Sequence, residues 1–248
     1  MRDNLIYGRQ TVKEFIKTEN TPRVNRIFLS ASFPLDLKGS IVGLGGKVEE
    51  MPRRELDRMF PGINHQGVVL ELSQAYKPEA PRDFKEALKL GGPFLALDEI
   101  SDPQNLGSMI RTAESLGVRA LFASSKCSPI TPAVHRASSG ASMHLPVYSV
   151  GNLPQFMDRA KEIGIWMVAA VADTIEPTAE NSDLSSEESS TLTASESLFL
   201  MIGSEGEGLK SIVIEKSDYL ITIPMRGRTA SLNAGVACGI LLDRLINR

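Results

Sequence analysis

Ile223-Pro-Met-Arg-Gly-Arg-Thr-Ala-Ser231-Leu-Asn233 decides how the C-terminal half of this chain is read. It ends the short apolar run Tyr219–Ile223 and leads into a stretch where Leu232, Val236, Ile240, Leu241 and Leu245 recur at three-to-four spacing. The order is strand, loop with proline and glycine, then a helix over 231–246 that buries this stripe. Ser231 stands where it can cap the helix, with Asn233 a second polar residue in the first turn. The loop also occupies the place where open α/β sheets bind ligands, so capping and ligand contact both remain open.

Two upstream segments repeat the pattern. Gly203-Ser-Glu-Gly-Glu-Gly208 follows the apolar run Leu198–Ile202 and precedes a predicted helix at 208–215. Its glycines allow close backbone approach and leave amide groups free, which suits either a plain turn or a ligand cradle. It lacks the Lys-Ser/Thr of a Walker loop and the dinucleotide fingerprint. The acidic Glu205 argues against a phosphate there and for a ligand with hydroxyl and amino donors. Asn105-Leu-Gly-Ser-Met-Ile-Arg111-Thr-Ala-Glu-Ser-Leu-Gly117 reads as a helix over 105–116, capped by Asn105, with Leu106, Ile110 and Ala113 inward. Arg111 lies on its flank, where a solvated charge is the usual outcome.

Around these segments the chain divides. Residues 1–75 form a small α/β pattern, with a helix after Gly8, strands at Arg26–Leu29, Val48–Met51 and Val68–Leu72, and a helix at Arg53–Phe60. Residues 76–92 read as a proline-bearing linker and a first helix. Residues 93–248 alternate apolar strands at Pro93–Leu97, Ala120–Ala123, Ile165–Val171, Leu198–Ile202 and Tyr219–Ile223 with helices, as expected of a parallel sheet covered on both faces. The segment 177–197, rich in Ser, Thr and Glu, has too few apolar groups to offset chain entropy and is expected to be a mobile surface loop.

Composition bounds the function. At 248 residues and 42% hydrophobic the chain can bury two cores. No apolar run can span a bilayer and the first residues lack a secretory signal, so a cytoplasmic protein is expected. Cys127 and Cys238 have no CxxC spacing, and Cys238 falls in an apolar helical pattern suited to a buried thiol. Asp98, Glu99 and Asp102 have no accompanying histidine, and no metal is expected; His65, His135 and His144 show no triad spacing. The formal charge of −3 is set by six carboxylates between Glu176 and Ser197, without which the remainder is +3 and compatible with a polyanionic partner.

In order and placement, the three segments resemble the motifs of the SpoU (TrmH-type) RNA ribose 2′-O-methyltransferases of the SPOUT superfamily, and are most like the branch acting on a guanosine of 23S rRNA. Tyr7-Gly-Arg-Gln-Thr-Val12, His65-Gln-Gly-Val68, Arg136-Ala-Ser-Ser-Gly-Ala141 and Leu145-Pro146 extend the resemblance over most of the chain. It implies an L30e-like RNA-binding domain followed by a SPOUT domain with a C-terminal trefoil knot. It also implies a homodimer with its active site at the subunit interface, and S-adenosylmethionine as cofactor. Gly203, Ile223 and Leu232 match cofactor-binding positions, with Met225 and Gly208 beside them. Asn105, Arg111, Glu205, Ser231 and Asn233 match the polar active-site set. Many relatives carry Asn-Val-Ser-Val where this chain has Asn233-Ala-Gly-Val236, a change that could loosen helix or dimer packing.

The chemistry so implied must make a weakly acidic ribose hydroxyl nucleophilic. A guanidinium is a poor base because it hardly deprotonates. Arg111 is therefore expected to stabilise the developing alkoxide, with Ser231, Asn105 and Asn233 orienting the ribose and the arginine. Arg9, Lys13, Arg53, Arg54 and Arg58 are candidate phosphate contacts, or simply solvated charges. The alternatives are a transfer-RNA substrate or a non-catalytic RNA-binding ribosome-assembly factor. A nucleotide-binding oxidoreductase would need a glycine fingerprint after its first strand, where this chain has Asp98-Glu-Ile-Ser-Asp-Pro-Gln.

Overall fold

Seven short strands and the helices between them build the larger part of the molecule, as seen in a computed structural model that describes residues 3–77, 84–89, 91–172, 182–183, 197–228 and 231–247. The N-terminal part runs β1 (Leu5–Tyr7), α1 (Arg9–Lys17), β2 (Val24–Ser30), α2 (Leu35–Val42), β3 (Lys47–Met51), α3 (Arg53–Met59) and β4 (Val68–Leu72). These strands form a sheet in the order β1-β4-β2-β3, antiparallel except for the β2/β3 pair. One sheet face buries Val12, Phe15, Ile27 and Leu70 under α1 and α2, and the other buries Phe28, Leu56, Phe60 and Val69 under α3.

After α4 (Phe84–Lys89) the chain enters the second sheet through β5 (Phe94–Leu97), α5 (Pro103–Ser115), β6 (Ala120–Ser124), α6 (Pro132–Ala137), a 3-10 turn at Ala141–Met143, and β7 (Val147–Gly151). It continues with α7 (Leu153–Lys161), β8 (Trp166–Ala170), β9 (Ser182–Asp183), β10 (Leu198–Ile202), α8 (Ser211–Glu215), β11 (Tyr219–Ile221) and α9 (Ala234–Ile246). The strand order is β7-β6-β5-β10-β8-β11-β9, and every pair is parallel. β10 thus inserts between β5 and β8, and the direction of strand progression reverses beside β5.

Alternation explains why the inner strands β5, β8 and β10 are apolar at every position. Leu95 and Leu97 face a layer made by α5, α6 and α9, whereas Phe94 and Ala96 face α4, α7 and α8. A strand buried on both faces has no solvent side on which to place polar groups. Phe94, Phe122, Phe156 and Phe199 form one aromatic cluster with ring centroids 5.0–5.8 Å apart. β7 escapes the apolar-run reading because it lies at the sheet edge and carries Ser149 outward.

Two helix starts differ from expectation. Asp102, not Asn105, caps α5: its carboxylate accepts from the amides of Gln104 at 3.1 Å and Asn105 at 3.2 Å, with Pro103 in the first turn. Asn233, not Ser231, caps α9, accepting from the amides of Gly235 and Val236. Because α9 starts at Ala234, its buried stripe is Ala234, Cys238, Leu241, Leu242 and Leu245, and Val236 is 52% exposed. Of the segment 177–197 expected to be a mobile loop, only Ser182, Asp183 and Ser197 fall within the described residues; of the linker and first helix at 76–92, residues 78–83 and 90 lie outside them.

The two sheets meet through α1, α6 and the turn that follows α6. Thr11 Oγ1 donates to the His135 carbonyl at 3.4 Å, Arg136 Nε donates to the Asn64 carbonyl at 3.2 Å, and Met143 joins the core of the N-terminal part. His135 is buried, its Nδ1 lies 2.8 Å from Ser142 Oγ, and its ring packs edge-on to Tyr76. Burial pulls its pKa down from 6.5 to about 4. The unfolded chain therefore takes up this proton at a higher pH than the native protein does. The stabilisation is complete above about pH 6.5 and is lost as pH falls toward 4, by roughly 3 kcal/mol in all. Denaturant unfolding between pH 7 and 4.5 is expected to show that loss, and His135→Gln to flatten the slope; equal slopes in the two proteins would refute the assignment.

Candidate active site

The C-terminal ends of β8, β10 and β11 open into a cavity of about 260 Å³. Ile202, Leu209, Ile214, Ile223 and Leu241 give it an apolar floor, and Ser204, Glu205 and Ser231 contribute polar groups to its wall. The expected cofactor positions Gly203, Gly208, Ile223, Met225 and Leu232 all line it. The loop after β10 folds back on itself, with Ser204 N donating to Gly208 O at 3.1 Å and Gly208 N to Ser204 O at 2.9 Å. A Cβ on Gly203 would stand 2.0 Å from the Gly208 carbonyl carbon and 2.3 Å from Leu209 N. Only glycine permits that backbone-to-backbone approach. Gly206 and Gly208 supply the positive φ angles, 96° and 71°, that close the loop.

Three of the expected polar residues meet at the mouth of this cavity. Asn233 Nδ2 donates to Asn105 Oδ1 at 2.9 Å, and Asn105 Nδ2 donates to Glu205 Oε2 at 3.0 Å. The direction of the chain is fixed from both ends. An ionised carboxylate can only accept, so Asn105 must present its NH₂ to Glu205 and its oxygen to Asn233. The oxygen of Asn233 is in turn taken by the first amides of α9. Because Asp102 does the capping of α5, the side chain of Asn105 is free for this link. The loop after β10, the start of α5 and the start of α9 are thereby locked together.

Arg111 is elsewhere. It lies six residues beyond Asn105, about 9 Å along the axis of α5 and roughly 120° around it. Its Nη1 donates to Ser139 Oγ at 3.2 Å, and no hydrogen bond among the described residues joins it to Asn105, Asn233, Ser231 or Glu205. The expectation that the two asparagines orient the arginine is therefore not met within one chain; both amides are engaged with each other, Glu205 and α9. Ser139 lies in the Arg136–Ala141 segment that extends the family resemblance, but its spacing attaches no role to it.

Lys126 and Lys210 flank Glu99 at the end of β5 and hold its carboxyl below the usual range. Burial raises Cys127 and pushes Cys238 up to about 12, so both thiols stay protonated. No group of three or more potential metal ligands occurs among the described residues, and no described helix is long and apolar enough to cross a membrane. A Cβ on Gly235 would stand 3.1 Å from Ser108 Oγ, so α9 packs closely against α5 where the sequence departs from many relatives.

The candidate RNA contacts separate onto two surfaces. Arg9 and Lys13 belong to α1, and Arg53, Arg54 and Arg58 to α3, on opposite faces of the small sheet. Arg9 also has an internal role, with Nε donating to the Gln66 carbonyl and the guanidinium 5.5 Å from the Phe33 ring centroid.

Comparison with known proteins agrees with this layout. The profile of the SpoU rRNA Methylase family matches residues 92–243, and that of RNA 2′-O ribose methyltransferase substrate binding matches residues 5–78. YacO of Bacillus subtilis (strain 168), assigned to the TrmH family tRNA/rRNA methyltransferases, is 33% identical over 244 residues, covering 96% of this chain and 92% of that protein. The 23S rRNA (guanosine-2′-O-)-methyltransferase RlmB of Vibrio cholerae serotype O1 is 31% identical over 258 residues, covering 100% of both. Among solved structures, the SpoU methyltransferase AviRb from Streptomyces viridochromogenes in complex with AdoMet superposes with a TM-score of 0.71 at 21% identity, covering 97% of this chain and 88% of that one. The AdoMet-bound rRNA methyltransferase from Sinorhizobium meliloti gives 0.69 at 22% identity, covering 97% and 85%. The family matches over both parts, and the full-length relatives above 30% identity, agree with a cavity and a polar chain built from the same motifs: the chain belongs to the SpoU family of RNA methyltransferases.

Proposed function

We propose that this protein methylates the ribose 2′-hydroxyl of a guanosine in 23S rRNA, using S-adenosylmethionine. The observation that carries the reading is the Glu205–Asn105–Asn233 chain at the mouth of a glycine-cradled apolar cavity. An adenosyl group needs an apolar slot for its base and acceptors for its hydroxyl and amino groups, and the apolar floor with Glu205 at the wall fits both needs. Gly203, Ile223 and Leu232 would hold it through main-chain groups, with Met225 and Gly208 lining the same space. Bound there, the cofactor supplies an electrophilic methyl group on a sulfonium.

The remaining work falls to the chain's own residues. The 2′-oxygen must lose its proton as it bonds to the methyl carbon, and negative charge develops on it meanwhile. Arg111 stabilises that charge, and a neighbouring substrate phosphate accepts the proton, since the guanidinium cannot. Ser231 lines the cavity and orients the ribose; the asparagine chain fixes the loop carrying Glu205, so that the cavity keeps its shape when the substrate arrives. The distance between Arg111 and that chain favours a homodimer, in which a second copy covers exposed Val236 and partly exposed Ile240 on α9 and completes the mouth. The path of the chain through β10, β11 and α9 is read as the family's trefoil knot, and the protein as cytoplasmic.

Ribosomal RNA is favoured by the full-length similarity to RlmB and by the substrate-binding part ahead of the methylase. A transfer RNA substrate is the second reading, supported by the tRNA/rRNA naming of YacO. Labelled methyl transfer to unmodified RNA, followed by nuclease mapping, decides between them: one labelled ribose in 23S rRNA is expected, and label confined to tRNA would overturn the choice of substrate. Arg111→Ala is expected to lower turnover by about a hundredfold or more while leaving cofactor affinity within a few fold; unchanged turnover would remove Arg111 from the reaction. In Gly203→Ala the new methyl runs into the Gly208–Leu209 peptide, so calorimetry should show cofactor affinity down by at least about tenfold. Wild-type affinity would exclude this loop as the cradle.

A further inference from the structure

Arg111 is held by a turn whose shape depends on the small N-terminal part. The turn is Arg136-Ala-Ser-Ser-Gly-Ala141, at the end of α6. Ser139, whose Oγ accepts from Arg111 Nη1 at 3.2 Å, has φ 54°, in the left-handed region that non-glycine residues seldom occupy. Glycine would rest there more easily. A side chain kept at such a position points to a use for its hydroxyl.

The conformation is held from behind by contacts between the two parts of the molecule. Gly140 has φ 93°, and a Cβ on it would stand 2.6 Å from Glu14 Cβ of α1. Gly140 N donates to the His135 carbonyl at 2.9 Å, the same oxygen that Thr11 of α1 approaches. On the other side of the turn, fully buried Ser138 lies 3.0 Å from Ser142 Oγ, which lies 2.8 Å from His135 Nδ1, and the His135 ring packs on Tyr76. Glu14 also reaches His144 Nε2 at 3.2 Å. Gly140, after Ser139, is thus pressed by α1, while Ser138, before it, is held by His135 and Ser142 of its own segment. The His135 carbonyl is approached by α1 as well, and Ser139 projects the result onto Arg111.

We propose that Ser139 is a positioning residue for Arg111, and that α1 of the substrate-binding part, by clamping the Ser138–Gly140 turn, sets the direction of that guanidinium. The inference rests on reading Arg111 as the charge-stabilising group. Seating of the small domain and aiming of the arginine become one event: a domain that shifts with its RNA moves the turn, and the turn moves Arg111. An exposed neutral partner contributes little to folding, but loss of the aim is felt in the rate.

Single-turnover methyl transfer to a mixture of unmodified 23S rRNA and tRNA transcripts, at saturating S-adenosylmethionine, tests this in the full-length protein. Ser139→Ala is expected to be about tenfold slower or more, with the thermal midpoint and cofactor affinity of the parent. Ser139→Asn, which keeps an acceptor and tolerates positive φ, should recover much of the rate. In the Arg111→Ala background Ser139→Ala should cost nothing further, because its effect runs through the missing guanidinium. A second measurement needs no RNA: the Nη protons of Arg111 should show slowed exchange about Nε–Cζ by NMR in the parent and free rotation in Ser139→Ala. Gly140→Ala, which pushes α1 off the turn, should lower the rate in the same way where it folds. If Arg111→Ala is inactive and Ser139→Ala is as fast as the parent, with unchanged arginine signals, the positioning role is wrong and the role of Arg111 stands. If Arg111→Ala itself is as fast as the parent, the charge-stabilising reading fails and takes this inference with it.

Discussion

The close approach of three helices on one face of the parallel sheet is the constraint on which the rest of this structure depends. α5 lies between α6 and α9, and glycine sets the spacing on both sides. A Cβ on Gly107 would stand 2.4 Å from Ala137 Cβ and 2.9 Å from Ser138 N, and one on Gly235 would meet Ser108. Ordinary helix pairs keep their axes 8–10 Å apart because side chains intervene; small residues let backbones come nearer. At this spacing Asn105 reaches Asn233, and Arg111 reaches Ser139. A larger residue at Gly107 would push α5 away from α6, and with it Arg111 from Ser139, whereas one at Gly235 would press on the Ser108 side chain.

The polar chain at the cavity mouth has a similar economy. Each amide in it has a single allowed orientation, because Glu205 accepts at one end and the amides of α9 donate at the other. A network with no freedom to flip is a rigid one. It joins three segments that come from distant parts of the sequence, and it does so at the end of the sheet where the strand order reverses. The cavity lies to one side of that point, at the C-terminal ends of β8, β10 and β11. The apolar floor of the cavity is therefore an extension of the sheet's core, while its wall is built from loop backbone and a few polar side chains.

Much of this was legible in the sequence, for identifiable reasons. Strands buried on both faces appear as uninterrupted apolar runs, so Leu198–Ile202 could be bounded to the residue, as could Val68–Leu72, where Glu71 alone interrupts the run. The glycine loop at 203–208 was legible because its residues serve backbone geometry, which depends on local sequence. Capping was harder. Asn105 and Asp102 are both good caps, and the choice went to Asp102 because Pro103 favours the first helical turn. At α9, Ser231 and Asn233 competed in the same way; Leu241 and Leu245 of the expected stripe are buried, joined by Cys238 and Leu242, while Val236 lies outside. Contacts between distant residues were not legible at all: nothing in the spacing of Asn105 and Asn233 says that they touch, and nothing about Ser139 says that it meets Arg111.

α5 shows why these distant contacts matter together. It is a 13-residue helix, about 20 Å long, with Asn105 in its first turn and Arg111 further along. Its start is bound to the loop that borders the cavity, and its later turns face the α6 turn, where the small domain is seated. A rigid helix cannot move one of these ends without moving the other. A shift of the small domain that tilts the α6 turn is therefore transmitted to the cavity mouth through α5 as well as to Arg111 through Ser139. The two routes start from the same buried contact between α1 and the His135–Ser142 turn, and this contact also gives the chain its acid-sensitive histidine. Domain seating and the burial of His135 thus belong to one interface.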